Sequence, residues 1–515
     1  MKPRRLLCDD LLHFGVHTDT AQKSAVIAEG RAYSYGELLS GARGLAGALR
    51  AHGVGRGDRV AIYMDNTWPC VVSVYGILLA GAVFVLVNPQ TKADKLAFVL
   101  GDAGARALIT DGHLASEFGP ASTATPGLRV VICSGELPAG VKTLGFDAAI
   151  AAIPTASSLE LIPLDLAALI YTSGSTGNPK GVMQTHLSMR FALESLTEYL
   201  RLQGDDRILL ALPLAFDYGL YQLLMTVGLG ATLVLERSFT FPAQVYNRMR
   251  SERVTVFPAV PTIFSMLLSS HRREPLLFPD VRRVTNTAAA LPDDYVPRLK
   301  EIFPNALIYR MYGLTECKRV SYLEPELTHM KPGSVGKAIP GTEVYLLNGD
   351  GTPTPRGEVG ILHVRGPHVM LGYWNQPELT AHMLRPGRLP GERVLCTHDH
   401  FRMDEEGYLY FVGRTDDIIK SRGEKVSPVE VENVLHGMPG VREAVVVGVA
   451  DDTLGQAIRA YVALDEGATL SEKQIRAWCA ARLESFMVPR EVVFKSELPR
   501  TATGKLSRRA LIEQS

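Results

Sequence analysis

Tyr171-Thr-Ser-Gly-Ser-Thr-Gly-Asn-Pro-Lys-Gly-Val182 stands directly behind an apolar run, Leu166 to Ile170. The stretch holds three glycines, four Ser/Thr hydroxyls and one lysine. A strand running into such a loop is a way to cradle phosphate: glycine lets backbone N–H groups approach the oxygens, hydroxyls donate further bonds, and lysine adds charge. A flexible Gly/Ser linker would need neither a lysine nor a flanking strand. A P-loop requires Gly, four residues, then Gly-Lys-Ser/Thr. Counting from Gly174 puts Pro179 where the second glycine belongs, and Gly181 follows Lys180, so the P-loop pattern fails.

Outward from this loop the texture is that of layered α/β structure. Strand-like runs at Arg59 to Met64, Ala107 to Thr110, Val130 to Cys133, Ile208 to Leu212, Thr232 to Leu235 and Val254 to Pro258 alternate with helix-length segments. That alternation predicts largely parallel sheets with helices between them. From Gly341 to Val364 short strands and Gly/Pro turns predict a β-rich subdomain. Beyond residue 414 the texture changes again: a helix from Pro428 to Leu435, strands at Val441 to Ala450 and Ala457 to Leu464, and helical spacing from Ser471 to Leu483. The expected organisation is a large N-terminal domain over 1–413, a junction at 414–417, and a small α+β domain over 418–515.

At 515 residues the chain is too long for one core. Lys+Arg and Asp+Glu both number 54, so no global attraction to nucleic acid or anionic lipid is expected. The six cysteines are scattered without C-x-x-C spacing, which suits a reducing cytoplasm and argues against structural zinc. Met1-Lys-Pro-Arg-Arg5 is followed by Asp9 and Asp10 rather than an apolar segment, so no signal peptide is expected. Cys70 to Val87 lacks charge, but Gly76 and Gly81 interrupt it; it reads as helix, turn and strand rather than a membrane span.

Three more segments carry chemistry. They are Met311-Tyr-Gly-Leu-Thr-Glu316, Thr397-His398-Asp399 shortly before Gly407-Tyr-Leu-Tyr-Phe-Val-Gly-Arg414, and Leu498-Pro-Arg-Thr-Ala-Thr-Gly-Lys-Leu-Ser-Arg-Arg509. With the phosphate loop, in this order, they resemble the signatures of the AMP-forming adenylating enzymes: acyl-CoA synthetases, amino-acid adenylation domains and luciferases. The resemblance runs from about Tyr33 to Arg509. It implies ATP-dependent activation of a carboxylic acid as acyl-AMP with release of pyrophosphate. Transfer to a thiol of CoA or of a carrier protein's phosphopantetheine then follows; the alternative is an enzyme that stops at the adenylate and uses it for another chemistry.

The resemblance also implies roles, residue by residue. Lys180, with Thr172, Ser173, Gly174, Ser175, Thr176 and Gly177, would hold the triphosphate. Tyr312 would stack on adenine, Thr315 contact the α-phosphate, and Glu316 bind Mg²⁺, for which an oxygen donor is apt. Asp399 and Arg414 would clamp the ribose. The usual pattern there is Thr/Ser-Gly-Asp, so His398 is a departure. Lys505 would sit on a loop of a mobile C-terminal lid and bridge the attacking carboxylate and the α-phosphate. Asp416 falls at the hinge, and Lys425 would offer a second charge to phosphate.

Acid specificity is less legible. Pro213-Leu-Ala-Phe-Asp-Tyr-Gly219 has Phe216 where many acyl-CoA synthetases carry histidine. Phe216-Asp217 matches half of the Phe-Asp-x-Ser signature whose aspartate pairs with an amino acid's ammonium, but Gly219 replaces the serine. Two readings of Asp217 therefore stand, ammonium anchor or loop organiser. Tyr218, Tyr221, Ala289, Met311 and Arg319 are the other candidate pocket residues, and Thr287-Ala-Ala-Ala-Leu-Pro292 departs from the usual Gly-rich pattern. A carrier protein, if one serves, is expected to be a separate chain. A non-catalytic relative is disfavoured because Lys180, Glu316, Asp399, Arg414 and Lys505 are all present.

Overall fold

The computed structural model describes residues 4–151, 160–172, 179–287, 291–414, 417–421, 424–451, 455–483, 485–501 and 506–512. Ser173, Gly174, Ser175, Thr176, Gly177, Ala289, Asp416 and Lys505 lie outside the described residues, and Lys425 is described in its backbone alone.

An eight-stranded sheet is centred on four parallel strands, Val83–Val87, Arg59–Tyr63, Ala105–Asp111 and Val130–Ser134, in that spatial order. Val83–Val87 is buried at every position, as a strand covered on both faces must be. The preceding helix Trp68–Ala80 stops at Gly81, whose φ of 78° ends it in a left-handed cap. The uncharged stretch at Cys70 to Val87 is thus helix, cap and buried strand. Among the described residues no helix is long and apolar enough to cross a membrane.

Strand Leu166–Thr172 joins this sheet beside Val83–Val87 and then pairs antiparallel with Lys180–Thr185. Ile170 faces Val182, Tyr171 faces Gly181 and Thr172 faces Lys180. The strands on either side of the phosphate segment are therefore antiparallel neighbours. That separates it from a P-loop, in which the glycine-rich turn runs from strand into helix.

The second sheet has fourteen strands. Its parallel half runs Ser24–Ala28, Thr232–Leu235, Arg207–Leu210, Val256–Ala259, Arg283–Asn286 and Leu307–Tyr312. Antiparallel strands Ser321–Leu323, Ser334–Ala338, Leu409–Arg414, Arg393–Met403, Val359–Arg365 and Glu343–Leu347 continue the same sheet. The β-rich texture beyond Gly341 is the antiparallel extension of a parallel sheet, bonded to it edge to edge. A third sheet of five strands includes Val441–Asp451 and Gly455–Leu464 and packs helices Pro428–His436 and Glu472–Ala480. Val431, Leu435, Val446, Val462 and Ile475 give it a core of its own. Arg272 reaches from the first body to Asp465 of this small domain with two bonds, 2.8 and 3.0 Å, and Arg273 reaches Glu466 at 3.0 Å.

Candidate active site

Strand Leu307–Tyr312 leads into the turn that carries the rest of the Met311–Glu316 segment. The turn after it is tight: a Cβ on Gly313 would sit 2.0 Å from the Lys318 carbonyl oxygen, so only glycine fits. Gln184, on strand Lys180–Thr185, donates its side-chain amide to the Thr315 carbonyl at 3.2 Å. The Glu316 carbonyl accepts from the Met370 N–H at 2.8 Å. The Tyr373 hydroxyl donates to Glu316 Oε1 at 2.6 Å, and Lys180 Nζ lies 5.9 Å from the centre of the Tyr373 ring. Tyr373 thus joins Lys180 of the phosphate segment to Glu316, 136 residues apart by the numbering.

On the other side of the same turn the Tyr312 hydroxyl donates to Asp399 Oδ2 at 2.5 Å. Asp399 and Arg414 are cross-strand partners, with Arg414 Nε 3.6 Å from Asp399 Oδ1. Burial pushes the Asp399 carboxyl above its ordinary range, while the Arg414 charge and the Tyr312 hydroxyl pull it back. The Arg414 side chain itself stays 66% exposed, free to meet a ligand from solvent. His398 holds φ at 56°, the left-handed conformation that the usual glycine adopts without cost. Its ring stacks on His382 at 4.6 Å between centroids and 9° between planes, so the turn survives the departure.

The candidate acid pocket lies around helix Asp217–Leu229, for which Phe216 is the N-cap. Asp217 is buried, and neither carboxylate oxygen has a hydrogen-bond partner of good geometry, although the Thr315 hydroxyl lies near enough to hold its pKa down. Burial dominates and raises the carboxyl to about 6, against the charges of Lys318 and Arg319. Arg319 is buried, donates to the Lys318 carbonyl at 2.8 Å, and lies 5.0 Å from the centre of the Tyr218 ring. Tyr218 donates to the Thr285 carbonyl at 2.6 Å. Tyr221 is fully buried, with its hydroxyl on the Met189 carbonyl at 3.3 Å, and Met311 accepts from Tyr199 at 3.0 Å. These two belong to the hydrophobic core. A cleft of about 570 Å³ opens beside the segment, lined by Pro213, Leu214, Ala215, Arg237 and Arg248 and not by Asp217 or Arg319.

Three residues of this neighbourhood escape a reading of the sequence. Tyr373 and His368 sit in segments with no motif around them. Lys318 follows Glu316 by two positions, and the charged pair it makes with Arg319 directly behind the motif is the signal the sequence offers. His368 is buried, and burial with the Lys318 charge lowers its pKa to about 3 against the opposing pull of the Arg319 backbone.

Comparison with known proteins accords with this geometry. The family profile described as AMP-binding enzyme matches residues 16–374, and that of the AMP-binding enzyme C-terminal domain matches 430–505. A feruloyl-CoA synthase of Amycolatopsis sp is 33% identical over 490 residues, covering 94% of each chain. A long-chain-fatty-acid–CoA ligase of Bacillus subtilis (strain 168) is 31% identical, covering 96% of this chain and 93% of its own. The crystal structure of the anthranilate CoA ligase AuaEII in complex with anthranoyl-AMP superposes with a TM-score of 0.91 at 27% identity, over 99% of this chain and 97% of that one. Two family profiles and relatives aligned across more than nine-tenths of the chain leave one conclusion: this protein belongs to the AMP-binding enzyme family.

Proposed function

We propose that this enzyme joins a small carboxylic acid to the thiol of CoA in two steps at one site. In the first, a carboxylate oxygen attacks the α-phosphorus of ATP, the bond to the β-phosphate oxygen breaks, and pyrophosphate leaves. In the second, the thiol sulfur attacks the acyl carbon, the bond to AMP breaks, and the thiol proton passes to solvent. Charge is dense in the first step, so catalysis is positioning plus cationic stabilisation. The observation that carries this reading is convergence: Lys180, Tyr373 and Glu316 form one contiguous set, and Tyr312, Asp399 and Arg414 another, around a single turn.

In this reading Lys180 with Thr172 to Gly177 holds the triphosphate, Tyr312 meets adenine, and Asp399 with Arg414 holds the ribose. Thr315 faces the α-phosphate. The Glu316 carboxylate, held by the Tyr373 hydroxyl, is an oxygen donor of the kind that suits Mg²⁺, which bound there would offset phosphate charge. Lys505 supplies the adenylating charge from the small domain, the boundary lies at 414–417, and Asp416 is the hinge. Lys425 offers its charge to phosphate. CoA as acceptor is supported by the relatives, whose names are those of CoA ligases.

A second reading, activation of an amino acid and loading of a separate carrier protein, is favoured by the unpaired carboxylate of Asp217. The test is pyrophosphate release with ATP, Mg²⁺ and a panel of plain and amino acids, with thiol consumption followed when CoA is added. Pyrophosphate release and CoA consumption with plain acids are expected. Release with amino acids alone, without CoA consumption, would replace the first reading by the second.

A further inference from the structure

Arg508 stands three residues after Lys505 and is held from three directions. Its guanidinium forks onto the carboxylate of Glu432, 2.7 Å from Oε1 and 2.6 Å from Oε2. Its Nε donates to the Val446 carbonyl at 3.3 Å, and the Val446 N–H donates to Glu432 Oε1 at 2.8 Å. The third contact is looser: Nη1 lies 3.5 Å from Asp417 Oδ2.

These contacts are not equivalent. A guanidinium bonded to both oxygens of one carboxylate is the strong form of a charged pair, and the Val446 backbone closes it into a ring. Glu432 therefore neutralises Arg508 and seats it on strand Val441–Asp451. Asp417 is a surplus anion. Charge balance does not require it, its side chain is 30% exposed, and a pair of that kind adds little to stability.

On its other side Asp417 meets the strand that ends in Arg414. Its N–H donates to the Arg414 carbonyl at 3.0 Å, and the Ile418 N–H donates to the same oxygen at 3.1 Å. Arg414 in turn faces Asp399. The residues that follow Lys505 are fixed as well. Leu506 pairs with Arg500, and the Ser507 N–H donates to the Pro499 carbonyl at 2.8 Å. Leu506 and Leu511 pack with Val445, Val447 and Tyr461. Arg414 and Lys505 are 91 positions apart by the numbering. Asp417 alone bridges the strand end of the first and the segment that follows the second.

Resting on the proposed roles of Arg414 and Lys505, we propose that Arg508 is a positioning residue for adenylation. Through Asp417 it ties the segment after Lys505 to the strand end that holds the ribose. ATP held at Arg414 steadies Asp417, and Asp417 steadies segment 506–512. A misplacement of about 1 Å at a reacting site costs about 100-fold in rate, so a pair that adds little to stability can still govern the reaction.

Hydrogen exchange on the full-length enzyme with ATP and Mg²⁺, and no acid, reads the link directly. In the wild type ATP should slow exchange at 409–414 and at 506–512. In Asp417→Asn it should do so at 409–414 only, and Asp417→Glu, which keeps the charge, should restore the effect at 506–512. Protection at 409–414 alone in the wild type, or at both segments in Asp417→Asn, overturns the link and leaves the nucleotide site standing. Protection at neither segment in the wild type overturns the nucleotide site together with the link. A kinetic arm uses the plain acid that gives the fastest pyrophosphate release. Asp417→Asn should slow that release about tenfold with KM for ATP nearly unchanged, and spare thioester formation from supplied acyl-AMP. An equal fall in both half-reactions, or an unmoved release, overturns the role in adenylation. Lys505→Ala measured beside it tells whether the assignment of Lys505 falls too.

Discussion

His398 shows how a single residue can break a pattern and leave the geometry intact. Its φ of 56° is the conformation a glycine would take, and its ring recovers energy by stacking on His382. Left-handed strain of about 1 kcal/mol is set against a similar loss of stacking and chain entropy if glycine replaced it. His398→Gly should therefore change unfolding free energy by less than about 1 kcal/mol, whereas His398→Val, β-branched at positive φ, should cost about 2 or more in urea denaturation. Asp399 one position on is a different matter. Asp399→Asn removes a charged partner of Tyr312 and Arg414 and should lower kcat/KM for ATP by about 100-fold, the scale of a charged hydrogen bond; an unchanged KM and kcat would remove it from the nucleotide site.

Asp217 gives a pH signature. Its carboxyl rises from 3.8 to about 6 on folding, under burial opposed by Lys318, Arg319 and the Thr315 hydroxyl and helped by Glu316. A folded pKa above the unfolded one means that the native state binds the proton more tightly. Folding is then penalised progressively between pH 4 and 6, and fully above that window. Asp217→Asn removes the penalty, so its stability relative to wild type should grow by up to about 3 kcal/mol across that window and then flatten. A difference that is flat, or that grows toward acid, contradicts the assignment. At this scale the sequence reveals residues inside motifs, because spacing marks them. Lys318, His368 and Tyr373 become functional candidates only through burial and neighbours, which spacing does not encode.

Elements explain the half-matched signature at Phe216-Asp217. Helix Asp217–Leu229 begins so close to the preceding turn that a Cβ at Gly219 would lie 2.2 Å from the Pro213 carbonyl oxygen. The neighbour is backbone and cannot swing aside. Gly219→Ser, which would complete the amino-acid signature, should destabilise by about 2 kcal/mol as overpacking does, rather than create amino-acid activity. A stable variant with new amino-acid activity would show that the turn can open. The glycine thus reports packing that only the assembled helix and turn reveal. Most strands were legible because their apolar runs are short and bounded by turn residues. Two features are not: that Lys180–Thr185 returns as a strand antiparallel to Leu166–Thr172, and that the β-rich stretch extends the parallel sheet. Both depend on pairing between distant segments, to which local periodicity is blind.

At the scale of the whole molecule, the proposed rotation of the small domain about 414–417 can be tested directly. If Lys505 serves adenylation alone, Lys505→Ala should slow pyrophosphate release by orders of magnitude and spare thioester formation from supplied acyl-AMP; equal loss of both would sink the rotating-lid assignment. If the small domain does rotate, the contact of Arg272 and Arg273 with Asp465 and Glu466 bears on the balance between its positions. These pairs are substantially exposed, with the Arg272 side chain at 50%, so together they are worth about 1 kcal/mol. That is enough to tilt a two-position equilibrium about fivefold when the contact exists in one position only. Arg272→Glu should therefore shift the ratio of the two half-reaction rates about fivefold at low ionic strength, and the shift should shrink at high salt as screening removes it. Exchanging the charges in Arg272→Glu/Asp465→Arg should restore the wild-type ratio. If the ratio does not move, the contact forms equally in both positions or contributes nothing; if it moves but the exchange fails to restore it, Arg272 acts through something other than Asp465.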